Sequence, residues 1–132
     1  MTKPMVMITD DQAGIRESIK LILADAYRVT EAASGAEALE CLRREPVQVV
    51  FMDIALPGMN GLEALESIKR IKREVPVCML TSMRDAATRA EAERLGAFDF
   101  ITKPFEIQEI LDVTARMVAS ADGTSLRGGP AA

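Results

Sequence analysis

Val47-Gln-Val-Val-Phe-Met52-Asp53-Ile-Ala-Leu-Pro57-Gly58-Met59-Asn60-Gly61 is the stretch on which the fold turns. Its first six residues are apolar except Gln48, a continuous run that reads as a central strand buried on both faces. An aspartate ends the run. Pro57 to Gly61 form a loop in which Asn60 can cap a helix with Glu63 as its capping-box partner, and Leu62, Leu65, Ile68 and Ile71 then recur at helical spacing. The unit is a strand, a polar residue, a loop and a helix.

The same unit repeats outward in both directions. Upstream lie a strand at about 5–9, a helix at about 12–25 with Ile15, Ile19, Ile22 and Leu23 on one face, and a short strand near 27–31. Ser34-Gly-Ala-Glu37 is a capping box that opens a helix through Arg44, which Pro46 stops. Downstream come a strand at about 75–80, an alanine-rich helix at about 85–95 ending on a left-handed Gly96, a strand at about 98–101, and a helix from Glu106 to about Ala119. Five alternations with short connections predict an α/β fold, a doubly wound five-stranded parallel sheet covered on both faces, with strand order 2-1-3-4-5. Residues 1–121 form one domain in this reading, and 122–132, which lack a periodic apolar face, read as a flexible tail.

A parallel sheet gathers the carboxyl ends of its strands along one edge, where ligands bind in open α/β folds. Asp10 and Asp11, Asp53, Thr81 and Lys103 each follow an apolar run, on strands one, three, four and five. Taken singly, an Asp after a strand is a common turn or cap residue, Thr81 a helix cap and Lys103 a solvated charge. Together they make one pocket of three carboxylates, a hydroxyl and an ammonium, suited to a divalent cation and a phosphoryl group.

Composition narrows the chemistry. The chain has 132 residues, a net charge of -4 and no histidine. It has no basic field for nucleic acid, so direct nucleic-acid binding is not expected. Zinc sites built on histidine and Ser-His-Asp triads lose their central residue, and a phosphoryl group arriving from histidine must come from another protein. No apolar run approaches the ~20 residues that span a bilayer, and the N-terminus lacks a signal-peptide pattern, so a cytoplasmic location without membrane contact is expected. Cys41 and Cys78 read as unpaired thiols, Cys78 in the core and Cys41 on or near a helix surface.

With Asp10-Asp11, Asp53 followed by Pro57-Gly58-Met59-Asn60-Gly61, Thr81, and Lys103-Pro104-Phe105 in place, the chain resembles the receiver domains of two-component response regulators, over about residues 4–119. The resemblance implies flavodoxin-like receiver topology and a bacterial phosphorelay role. Asp53 is then the phosphoacceptor, Asp10 and Asp11 organise Mg2+, Thr81 and Lys103 bind the phosphoryl group, Phe100 is the switch aromatic, and Lys103-Pro104 is a cis peptide. The implied partners are a sensor histidine kinase or a histidine phosphotransfer protein, and an unidentified output protein or effector domain, with the chain a monomer or a phosphorylation-induced dimer. Partner choice falls to exposed residues such as Gln12, Ala13, Arg16, Pro104 and Phe105.

The chemistry is consistent with those roles. Three carboxylates at ~4 Å repel by several kcal/mol per pair at an effective dielectric near 20, and Lys103 offsets only part of this. A hard dication relieves the rest, with Asp11, Asp53 and the Ala55 backbone carbonyl as expected ligands and Asp10 acting directly or through water. Asp53 then attacks phosphorus, Thr81 reports the acyl phosphate, and Phe100 turns inward with the 85–95 helix, so the output surface is that helix, the last strand and the last helix. Ala55 and Met83, at positions that flank the attacking water in the family, cannot orient it. Two other readings stand beside this one. A Mg2+-dependent aspartyl-phosphate phosphohydrolase lacks its Asp-x-Asp motif and cap insertion here, and a phosphorylation-independent interaction module would not need the intact set. The chain is therefore not read as an enzyme on external substrates.

Overall fold

The computed structural model describes residues 2–121, and the expected tail at 122–132 lies outside them. Five units follow in order: β1 (Met5–Thr9), α1 (Ala13–Leu23), β2 (Arg28–Ala32), α2 (Gly35–Arg44), β3 (Val47–Met52), α3 (Gly61–Ile71), β4 (Val77–Thr81), α4 (Ala86–Arg94), β5 (Asp99–Thr102) and α5 (Ile107–Ala121). All strands pair in parallel, in the order β2-β1-β3-β4-β5. This is the predicted doubly wound sheet.

Side-chain alternation along the strands divides the core into two layers. Val6, Ile8, Val49, Phe51, Cys78, Leu80 and Ile101 meet Ile19 and Leu23 of α1 and Ile110, Val113 and Met117 of α5. Their neighbours Met7, Val50, Met52, Val77, Met79 and Phe100 meet Ala38 and Leu42 of α2, Leu65 and Ile68 of α3 and Ala92 of α4. The central strands are apolar at almost every position because both faces are covered.

The helix starts follow the capping chemistry. Asn60 Oδ1 accepts from Leu62 N–H at 2.9 Å and Glu63 N–H at 3.0 Å while Glu63 reaches back to Asn60 N–H at 3.0 Å, a complete capping box. Ser34 caps α2 through Glu37 N–H at 3.1 Å, but the Glu37 carboxylate passes Ser34 and takes Ala33 N–H at 2.8 Å. Asp85 caps α4, accepting from Thr88 N–H at 3.0 Å.

Cys41 is a correction: it is buried, 3% exposed, and not at a helix surface. It lies on the apolar face of α2 with Ala38 and Leu42, and its sulfur sits 3.6 Å from Thr30 Oγ1. Cys78 is fully buried, and desolvation pushes its thiol far above the ordinary range, so it behaves as a small core hydrophobe.

Candidate functional site

Hydrogen bonding continues one residue past the strands, and that residue is the polar one. Asp10 N–H donates to Ala32 C=O at 3.1 Å, Asp53 N–H to Thr9 C=O at 2.9 Å, and Lys103 N–H to Thr81 C=O at 2.9 Å. Each is therefore pinned to the next strand's end before its side chain makes any contact. Asp10 is 2% exposed, Asp53 5% and Thr81 0%, while Asp11 is exposed.

The side chains then converge. Lys103 Nζ lies 2.7 Å from Asp10 Oδ2 and 3.1 Å from Asp53 Oδ2, bridging residues 93 and 50 positions away in the chain. Oxygen atoms of Asp10, Asp11 and Asp53 all fall within 4.8 Å of one another. Asp10 Oδ1 accepts from Gln12 N–H at 2.9 Å and Asp53 Oδ1 from Ala55 N–H at 3.3 Å, so each buried carboxylate is held on both oxygens. Thr81 Oγ1 accepts from Met83 N–H at 3.3 Å, leaving its own proton free to donate. The Lys103–Pro104 peptide is cis.

Burial is the largest influence on Asp10 and raises its pKa, although the Lys103 hydrogen bond and charge oppose it. Burial also works against the Lys103 ammonium, yet the hydrogen bonds it donates to Asp10 and Asp53, with their charges, outweigh it and raise its pKa. The two shifts look contradictory for an ion pair, since pairing alone should lower the aspartate. They agree once desolvation is counted: Asp10 is almost sealed from water, and one cation shared by two carboxylates does not restore what hydration supplied.

The donor set is all oxygen and anionic, without histidine or thiolate, which suits a hard dication such as Mg2+. Asp10, Asp11 and Asp53 are the side chains that could hold it. Binding to the folded chain alone stabilises it by RT ln(1 + [L]/Kd), about 1.4 kcal/mol at free metal tenfold above Kd. Melting temperature is therefore expected to rise by a few degrees in millimolar Mg2+ in wild type and to be indifferent in Asp11→Ala. A flat response in wild type sinks the metal assignment.

Phe100 lies on β5 beside α4. Its ring is inward, 7% exposed, with the Arg89 guanidinium 5.2 Å from its centroid. Ala92 is the buried residue of α4, the helix beside that ring. Arg16, expected as an exposed partner-contact residue, is instead half-buried and tied to Asp10 and Glu31.

Sequence reasoning also missed Gly61. An added Cβ there would stand 2.0 Å from the Asp53 carbonyl oxygen and 2.6 Å from Ile54 Cα, so α3 begins in contact with the backbone that carries Asp53. One signal was present: glycine is a poor helix former, and finding it directly after a cap asks for a reason.

Residues 6–115 match the family described as the response regulator receiver domain. Sporulation initiation phosphotransferase F of Bacillus subtilis is 32% identical over 117 residues, which cover 88% of this chain and 94% of that protein. The DNA-binding transcriptional regulator NtrC of Escherichia coli is 35% identical over 120 residues, 90% of this chain but 26% of NtrC, so the chain spans about a quarter of that relative. Among solved structures, a CheY-like response regulator receiver domain protein from Methanospirillum hungatei superposes with a TM-score of 0.88 at 26% identity, covering 92% of this chain and 98% of the other.

Proposed function

The chain belongs to the response regulator receiver domain family, whose members are phosphorylation-switched signalling modules, and from that premise we propose that Asp53 is its phosphoacceptor. The observation that carries the assignment is the Lys103 ammonium shared between Asp10 and Asp53 at 2.7 Å and 3.1 Å. It places a fixed cation beside the carboxylate that would become the acyl phosphate, where charge on the transferring oxygens develops.

In the proposed reaction a carboxylate oxygen of Asp53 attacks the phosphorus of a phosphohistidine on a sensor kinase or phosphotransfer protein. The P–N bond breaks and its electron pair stays with the imidazole. Asp10, Asp11 and Asp53, with the Ala55 backbone carbonyl, would hold Mg2+, and the chemistry that ion would supply is charge neutralisation at the phosphoryl oxygens. Lys103 exchanges part of its pairing with Asp53 for a phosphoryl oxygen, and the Thr81 hydroxyl donates to another. Ala55 and Met83 offer attacking water no strong hydrogen bond, which favours a slow return to the free carboxylate. The chain thus catalyses its own modification and acts on no external substrate. A cytoplasmic setting and an output protein or effector domain complete the reading, and no helix among the described residues is long and apolar enough to cross a membrane. The test is transfer of labelled phosphate from phosphorylated histidine proteins to this chain. Labelling by none of a broad kinase panel, with free histidine kinases active on their own receivers, counts against it.

The output is proposed to leave through Thr81. Thr81→Ala is expected to accept phosphate at Asp53 and to lose most of the amide-resonance changes that beryllofluoride, a phosphoryl mimic, induces in residues 82–102. Only Ala92 of α4 is fully buried, so little packing opposes movement of that helix. A full response in Thr81→Ala would show that the coupling runs by another route.

A further inference from the structure

Asp10 is held at four points. Its N–H, both carboxylate oxygens and its carbonyl are all engaged, the last by Arg16 Nη1 at 2.7 Å. Asp11 is different: it is exposed, and its carboxylate has no hydrogen-bonded or ion-paired partner among the described residues. Where that carboxylate stands is therefore set by the backbone carrying it. That backbone begins with the Asp10–Asp11 peptide, whose carbonyl oxygen is the one Arg16 grips.

Arg16 is itself braced. Its Nε donates to Glu31 Oε1 at 2.9 Å, and Lys20 Nζ holds the other Glu31 oxygen at 2.8 Å. The Lys20 hydrogen bond first and the Arg16 hydrogen bond second keep the Glu31 carboxyl below its ordinary range, so the brace stays ionised at neutral pH. The Arg16 side chain is 17% exposed, against 41% for Lys20. A planar guanidinium can present Nε to one acceptor and Nη1 to another in fixed geometry, which a lysine ammonium does not do.

We propose that Arg16, braced by Glu31, is a positioning residue for the metal site: by fixing the Asp10–Asp11 peptide it sets where the exposed Asp11 carboxylate stands. The role rests on the reading of Asp10, Asp11 and Asp53 as metal ligands. Groups behind the ligands tune affinity by orienting them, typically by 10- to 100-fold. The sign of the effect separates positioning from simple electrostatics. Removing a cation near an anionic site should tighten Mg2+ binding if charge alone matters, whereas removing a clamp should weaken it.

The experiment is a Mg2+ titration of the full chain followed by amide resonances, for wild type, Arg16→Met and Arg16→Lys, with melting in EDTA as the folding control. Arg16→Met keeps the apolar stem and is expected to raise the Mg2+ Kd roughly tenfold. Arg16→Lys keeps the charge and is expected to fall between. The Asp11 amide, which belongs to the clamped peptide, should shift in both variants already in EDTA. An Arg16→Met Kd equal to or tighter than wild type overturns the proposal. If Arg16→Met melts too low to be folded in the titration, Arg16→Lys decides, and wild-type affinity there overturns it equally. Absence of any wild-type Mg2+ response overturns the metal reading and the clamp with it, while a wild-type response matched by Arg16→Met overturns the clamp alone.

Discussion

Incubation with acetyl phosphate and Mg2+ is expected to place one phosphoryl group on wild-type protein and none on Asp53→Asn, with EDTA preventing the wild-type reaction. The expected loss is at least on the order of a thousandfold in rate, because an amide is no nucleophile toward phosphorus and the substitution removes the bond-forming atom itself. Asparagine keeps the shape and can still offer Oδ1 to Ala55 N–H, while its NH2 takes the place of the oxygen that accepts from Lys103; that one contact is lost and Lys103 keeps its bond to Asp10. The neighbouring acids are poor substitutes. Asp10 is sealed from solvent with both oxygens engaged, and Asp11 is exposed and forms no ion pair with Lys103. Intact-mass and peptide mass spectrometry would locate the modification. Equal labelling of Asp53→Asn removes Asp53 from the role, whatever the family of the chain.

The sheet and the acidic edge were legible in the sequence because each rests on a one-dimensional signal. Continuous apolar runs mark buried parallel strands, and a polar residue at the end of each run marks the edge where they meet. The contacts made across the chain carried no such signal. Val75 and Pro76 belong to an apolar run, yet β4 begins at Val77; both are buried, and Pro76 takes part only as an acceptor, from Val50 N–H at 3.0 Å. Apolar patterning reports burial, whereas strand boundaries follow hydrogen bonding. Cys41 was misplaced although the periodicity shows it: it stands three residues after Ala38 and directly before Leu42, on the one face that α2 buries. Arg16 looked like a solvated helix residue because its partners Asp10 and Glu31 lie off the helix, at separations of 6 and 15 residues that follow no helical spacing.

Among the described glycines, Gly61→Ala is expected to produce the largest loss of stability. The new Cβ would stand 2.0 Å from the Asp53 carbonyl oxygen and 2.8 Å from its carbonyl carbon, with Ile54 Cα at 2.6 Å. All three obstacles are backbone, so no side chain can turn aside. The backbone is fixed as well: Gly61 N–H donates to Ile54 C=O at 2.8 Å, and Asp53 N–H is held by Thr9 C=O at 2.9 Å. Relief requires α3 to lift from the sheet or the acceptor's peptide to rotate. A cost of roughly 3 kcal/mol is expected, lowering the melting temperature on the order of 10 °C. Gly58→Ala is the informative contrast. Gly58 has a φ of 73° but nothing within 4 Å of a Cβ, so it meets only left-handed backbone strain, about 1 kcal/mol. The two variants also separate at the site. Gly61→Ala, assayed below its melting transition, should phosphorylate more slowly because relief moves the peptide that carries Asp53 relative to Lys103. Gly58→Ala should react at close to the wild-type rate. A Gly61→Ala protein that melts and reacts like wild type would mean that α3 does not start against the acceptor strand, and with it would go the account of how Asp53 is held.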